Sequence, residues 1–415
     1  MNTFTLIFLF TAGAGLLLQE WLLQRHRRYV ADNRRQVPEP FEQRISLEQH
    51  QKAADYTLAK TGVARVELLY STLVLVLFTL GGGIEYLNQR WLSLELGSLA
   101  TGIGLVVSTF LLLGLLDLPF SLWRTFVLEE QFGFNRTRIG RFFADLLLQA
   151  VLLLVLGGPI ALAVLWLMQE AGDLWWVAAW LLVVGFMLTV TWIYPTLVAP
   201  LFNRFTPLGD DELRERIEQL LSRCGFVSSG IFVMDGSRRS GHGNAYFTGF
   251  GKHKRIVFFD TLVDALVADE MEAVLAHELG HFKHGHILKQ LLMSAFTTLI
   301  GFGVMGWLSN QPWFYHGLGV SAASNPLALL LFLVVAPVFT LFLQPFFSLL
   351  YRRYEFQADA FARSQTGAEP LINALVKLYR ENASTLTPDP LYSAFHDSHP
   401  PANERIAQLV GSKTL

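Results

Sequence analysis

Seven apolar stretches dominate this chain, near residues 4–23, 66–87, 96–117, 142–168, 174–198, 287–308 and 327–350. Each is long enough for a helix to cross about 30 Å of hydrocarbon, which takes roughly 20 residues. Lipid offers the backbone no hydrogen-bond partners, so such segments satisfy themselves as helices. Of the 415 residues, 52% are hydrophobic and only 16% charged, whereas soluble domains carry about a quarter charged. Together these features predict a mainly α, polytopic membrane protein whose first partner is the lipid bilayer. A net charge of -2 gives no reason to expect a nucleic-acid partner. Cys224 is the only cysteine, which excludes an intramolecular disulfide and a Cys-based metal site.

The connections set the expected orientation. Basic residues crowd 24–65 (Arg25 through Lys60 to Arg65), 118–141 (Arg124, Arg136, Arg138, Arg141), 199–286 and the tail from 351. By contrast, 88–95 holds only Arg90, and 169–173 and 309–326 hold neither Lys nor Arg. Basic and non-basic connections alternate across all seven spans, which puts both large polar segments in the cytoplasm. No positive charge precedes the first span, while Arg25, Arg27 and Arg28 follow it; that polarity fits an anchor with its N-terminus outside rather than a cleaved signal. The chain thus divides into spans 1–5 (1–198), a cytoplasmic segment (199–286), spans 6–7 (287–350) and a cytoplasmic C-terminal segment (351–415). Among the polar residues interrupting the spans, Glu85 and Asp117 are expected at the interface, and Gln149 and Gln344 in a cavity.

The sequence His277-Glu278-Leu279-Gly280-His281 carries the chemistry. Residues four apart share a helical face, so both imidazoles can converge on one zinc ion. Glu278, one position on, can take a proton from the attacking water. Leu266, Val267, Met271, Val274 and Leu275 have helical spacing, which predicts a helix over 264–286, capped by Asp264 or Asp269 and continuing into the sixth span. His284 and His286 do not extend the ligand face, and an interfacial polar turn accounts for them. A third protein ligand is required, and Glu355, just after the seventh span, is the acidic candidate. Asp359, four residues on, can accept a hydrogen bond from a ligating histidine. The alternative is a solvated acidic face balancing Arg352 and Arg353.

Two weaker signals complete the reading. His399 and Arg405, in the segment from His396 to Ile406, have the chemistry to stabilise an oxyanion, although both residue types are common in polar tails. Gly241–Gly249, followed by Arg255–Phe259, reads as an edge strand that can hold a substrate backbone, with Asn244 adding a side-chain hydrogen bond; an ordinary Gly-rich hairpin is the competing reading.

Taken together, these residues resemble the type I CAAX prenyl endopeptidases, integral-membrane zinc metalloproteases. The likeness runs along nearly the whole chain and includes Glu129–Asn135 and Pro200–Leu208. It also takes in Asn244-Ala245-Tyr246, the zinc motif, Glu355–Asp359, His399-Pro400 and Glu404-Arg405. It implies seven helices forming a barrel around a chamber, closed at one end by a zincin-like metalloprotease domain. It further implies one Zn2+ per chain held by His277, His281 and Glu355, with Glu278 as general base and Asp359 behind the ligands. Asn244, His399 and Arg405 would contact the substrate or the oxyanion, and Ala245 and Tyr246 would flank Asn244 in the substrate-binding strand. The resemblance implies a peptide or protein substrate, one with a prenylated C-terminus included. Gly411–Leu415 carries no dilysine-type retrieval signal, and the connections are compact, which points to a bacterial inner membrane with the site on the cytoplasmic side. A quality-control metalloprotease without lipid-tail preference and a non-catalytic scaffold or chaperone are the rival readings.

Overall fold

The computed structural model describes residues 2–248 and 253–411; Gly249 of the expected edge strand and Ser412–Leu415 of the tail lie outside the described residues. Among the described residues, seven helices are long and apolar enough to cross a membrane: α1 (Thr3–Asp32), α2 (Leu47–Phe78), α3 (Ser98–Gln131), α4 (Ile139–Glu170), α5 (Gly172–Phe202), α8 (His286–Leu308) and α9 (Asn325–Thr366). Each packs on the next along the chain, and α9 returns to α1, so the ring closes. Only 6% of the apolar window of α2, and of α5, is buried, so most of the surface of both helices is free of protein contact. A cavity of about 770 Å³ lies within, lined by Gln19, Glu67, Tyr70, Asp117 and Leu341 among others.

One end of the ring is plugged. The first turns of α9 pack against α3 and α4 as well as against their ring neighbours. There Leu327, Leu330 and Leu331 are buried with Leu105, Leu165, Tyr315 and Leu318. Glu355 stands 24 residues beyond Leu331 on the same helix, about 36 Å at 1.5 Å per residue. The site expected from sequence therefore belongs to the opposite end.

Helix ends depart from the apolar stretches in two places. α2 begins at Leu47, not near 66, because Ser46 Oγ accepts from the Gln49 N–H while Gln49 Oε1 accepts from the Ser46 N–H, a reciprocal cap that starts the helix well outside the lipid. It ends at Phe78, before a turn in which Gly82 has φ of +82°. Glu85 consequently sits on a separate short helix and accepts from Ser321 Oγ. Gln149 is exposed and does not line the cavity, whereas Gln19, Glu67 and Asp117 do. Helical phase, not depth, decides which polar group faces inward.

The remaining chain builds a small α/β unit at the open end. Strands β1 (Phe205–Pro207), β2 (Val227–Met234), β3 (Ala245–Thr248) and β4 (His253–Phe259) form a sheet in the order β1-β2-β4-β3. β2 and β4 run parallel, and β3 is an antiparallel outer strand, with Ala245 opposite Phe258 and Tyr246 opposite Val257. Helix α6 (Asp211–Cys224), capped by Asp210, supplies Ile217, Leu220 and Leu221 to the core beneath the sheet. Ile256 and Phe258 of β4, Leu275 and Leu279 of α7 (Ala268–Lys283), and Leu371 and Leu375 of α10 (Ala368–Glu381) complete that core. Burial of these apolar side chains is what fixes α7 between the sheet and α9.

Candidate metal centre

α7 starts at Ala268. Neither Asp264 nor Asp269 caps it: Glu270 accepts from the Val267 N–H, and Asp269 pairs with Arg216 instead. The helix ends at Lys283 rather than running into the sixth span, because Gly285, with φ of +66°, turns the chain before α8 begins at His286. Between the two histidines of the motif, Gly280 lets α7 approach α9 closely. A Cβ there would stand 2.9 Å from the Ala358 Cα. That contact brings His277, His281 and Glu355 together.

The donor spacing fits a tetrahedral ion. His277 Nε2 lies 3.3 Å from His281 Nε2 and 3.3 Å from Glu355 Oε2, and His281 Nε2 lies 3.3 Å from Glu355 Oε1. Zinc bonds of about 2.0–2.1 Å to N and O give a tetrahedral edge of about 3.3–3.4 Å. Glu355 Oε2 is buried and accepts no hydrogen bond, with Arg405 Nη1 no nearer than 3.9 Å, so a bound cation would complete its partners. The donor set, two imidazoles and one carboxylate, is that of a hydrolytic zinc site with an open position. These residues could hold the metal.

Behind them, Asp359 Oδ1 stands 2.8 Å from His277 Nδ1, and Arg405 clasps Asp359 through Nε at 2.8 Å and Nη2 at 2.6 Å. Burial alone would push the His277 pKa down. The adjacent carboxylates of Asp359 and Glu355 overrule it, and without metal the ring is carried up to about 9. Burial likewise opposes the Arg405 charge, but Asp359 holds it above its ordinary value.

The expected substrate groups surround this cluster. A pocket of about 280 Å³ is lined by Asn244, Ala245, His277, Glu278, His399 and Arg405 among others. No hydrogen bond or ion pair among the described residues occupies the Glu278 carboxylate. The His399 side chain is 67% exposed, with Nε2 3.4 Å from Glu355 Oε1. Arg405 commits two nitrogens to Asp359, leaving Nη1 3.9 Å from Glu355 Oε2. Asn244 leads into β3, its carbonyl accepting from the Phe259 N–H. Tyr246 lines neither this pocket nor the larger polar cavity beside it; its ring meets Phe259 edge-on at 6.5 Å.

That polar cavity, about 730 Å³, is lined by Tyr56, Lys60, His242, Asn244 and His399 among others. It shares Tyr392 and His396 with the apolar cavity inside the ring, so the two adjoin. The Glu129–Asn135 segment braces its wall. Glu129 accepts from the Tyr56 hydroxyl at 2.5 Å, the Phe134 carbonyl accepts from the Gly241 N–H, and Asn135 pairs with Ser240. Sequence reasoning missed three contributors: Gly280, His286 and Gln357. His286 is not an interfacial turn residue; it is fully buried against His281. The glycine inside the zinc motif was the available signal for close helix packing.

Known proteins share this architecture. Residues 26–204 match the family described as CAAX prenyl protease N-terminal, five membrane helices, and residues 207–413 match peptidase family M48. The chain is 35% identical to CAAX prenyl protease 1 of Saccharomyces cerevisiae, over 92% of this chain and 90% of that protein. It is 32% identical to the human CAAX prenyl protease 1 homolog, over 96% and 93% respectively. The crystal structure of S. mikatae Ste24p superposes with a TM-score of 0.91 at 30% identity, covering 99% of each chain. With its five-helix N-terminal membrane region and its metalloendopeptidase site, the chain belongs to peptidase family M48.

Proposed function

We propose that this protein is a zinc endopeptidase that removes residues from prenylated C-terminal peptides, with one Zn2+ per chain held by His277, His281 and Glu355. The observation that carries the reading is the convergence of His277 Nε2 and His281 Nε2, 3.3 Å apart and each 3.3 Å from one oxygen of Glu355, beside a pocket flanked by the outer strand β3. When bound, zinc supplies Lewis-acid polarisation of the scissile carbonyl and acidifies a neighbouring water. The chain's own residues do the rest. The peptide backbone lies along β3, with Asn244 donating from Nδ2. Glu278, whose carboxylate has no hydrogen bond or ion pair among the described residues, takes a proton from the attacking water and returns it to the leaving amine. His399 and the Arg405 Nη1 edge donate to the oxygen on which negative charge develops. Asp359 keeps the His277 Nδ1–H in place, which leaves Nε2 bare for the metal.

The adjoining cavities suit an amphipathic substrate: a prenyl chain in the apolar space within the ring, the peptide in the polar space beside the metal centre. Segments 199–286 and 351–415 face the cytoplasm on this reading, supported by the alternation of basic connections. The test is cleavage by purified protein of matched peptides with and without a farnesyl group. Preference for the farnesylated peptide is expected. Equal rates would remove the lipid-tail assignment and leave a general membrane metalloprotease.

A further inference from the structure

We infer that His286 is a positioning residue for the metal centre: it fixes the tautomer and ring orientation of His281, as Asp359 does for His277. The inference rests on the reading of His281 as a metal ligand. Position and proton bookkeeping carry it. His286 opens α8 immediately after the turn at Gly285 and is fully buried. Its Nε2 lies 2.8 Å from Gln357 Oε1, and its Nδ1 lies 3.1 Å from His281 Nδ1. Gln357 Oε1 only accepts, so the His286 proton sits on Nε2. A neutral imidazole has one N–H, which leaves His286 Nδ1 as an acceptor. His281 Nδ1 must then be the donor, and His281 Nε2 is left bare, 3.3 Å from both His277 Nε2 and Glu355 Oε1.

The opposite arrangement is self-defeating. If His286 donated from Nδ1, His281 would accept there and carry its proton on Nε2, aimed into the donor triangle. The ring of His286 is also clamped flat on Tyr354, with centroids 4.3 Å apart and planes within 14°. α9 therefore controls both ligating histidines of α7: Asp359 reaches one directly, while Gln357 and Tyr354 reach the other through His286. The two devices differ in charge. A carboxylate stands behind His277 and a neutral ring behind His281, so the second ligand is oriented without another buried anion.

Two substitutions separate this role from packing. His286→Phe keeps a ring for Tyr354 and most of the volume but loses the acceptor. His286→Asn loses the ring but places Oδ1 near the Nδ1 position. The readouts are zinc dissociation constants in detergent against a competing chelator, and the visible spectrum of the cobalt-substituted protein. Loss of an orienting partner typically weakens metal affinity about 10–100-fold. His286→Phe should show that loss with an altered cobalt spectrum, while His286→Asn stays within a few-fold of the parent. Weakening in the reverse order, or parental affinity in both, would overturn the inference. A parent protein without stoichiometric zinc, or a His281→Ala variant binding as tightly as the parent, would instead overturn the ligand reading beneath it.

Discussion

Replacing Gly280 by alanine tests how the metal centre is spaced. The new Cβ would stand 2.9 Å from the Ala358 Cα, 3.1 Å from the Ala358 carbonyl oxygen and 3.2 Å from the Phe361 Cβ. Carbon pairs settle at about 3.5–4.0 Å, so α7 and α9 have to part by roughly 0.6–1.1 Å. Backbone atoms make the closest contacts, and no rotamer change relieves them. Ala358 adjoins Asp359 and lies three residues from Glu355, so the parting carries both carboxylates away from His277. Donor separations now at 3.3 Å stretch toward about 4 Å, past the tetrahedral edge that zinc requires. Overpacking of this kind costs about 1–3 kcal/mol, against about 1 kcal/mol gained by alanine over glycine inside a helix. The expected result is a metal-free protein less stable by up to about 2 kcal/mol, with zinc binding weakened at least about tenfold. Chelator competition and thermal unfolding in detergent, each with and without zinc, measure both. A Gly280→Ala variant that is more stable than the parent and holds zinc as tightly would show that this contact does not set the spacing.

Other outcomes follow from the same geometry. Asp359→Asn takes from the buried Arg405 guanidinium the carboxylate it grips, leaving Glu355 Oε2 at 3.9 Å, so unfolding should be easier by up to about 3–5 kcal/mol and zinc affinity lower by about 10–100-fold; unchanged values in denaturant and chelator titrations would remove Asp359 from the site. Because His277 without metal is raised to about 9, and a ligand must be neutral, zinc uptake near neutral pH should displace its proton. Apparent affinity should therefore rise with pH until about 9, and an indicator dye in weak buffer should register proton release; zinc uptake without it would contradict this. Asn244→Ala should raise KM by up to about tenfold, the net worth of one hydrogen bond, with zinc content and kcat near parental values. A fall in kcat alone would move Asn244 from backbone binding into the chemical step.

The cluster of His277, His281 and Glu355 that could hold a metal was legible where its parts are local. His277 and His281 share a face by helical periodicity alone, and Asp359 repeats that spacing from Glu355 on α9. Pairing the two helices needed the chemistry of zinc, which demands a third ligand, and the structure supplies the physical means in the Gly280–Ala358 contact. His286 was not legible, because a continuous helix through residue 286 gives it a different azimuth. The left-handed turn at Gly285 resets the phase and turns the ring back onto His281. The spans were legible as apolar runs, but their ends were not. Polar residues 47–65 extend α2 far below the apolar stretch, and cap chemistry at Ser46, rather than hydropathy, decides where it starts. Arg405 was expected at the oxyanion. Its bidentate grip on Asp359 depends on a fold-level contact between α9 and the C-terminal helix Ala402–Val410, which no local pattern encodes.

The most direct test of the account measures zinc content and cleavage of a farnesylated CAAX-type peptide, side by side, for the parent protein and Glu278→Gln. Glu278 touches neither His277 nor His281 through any hydrogen bond among the described residues, so the amide should leave the donor triangle intact while removing the base. One zinc per chain in both proteins, with cleavage lowered at least about 10²–10⁴-fold in the variant, is the predicted result. Parental cleavage by Glu278→Gln, or cleavage by a parent protein stripped of metal, would contradict it.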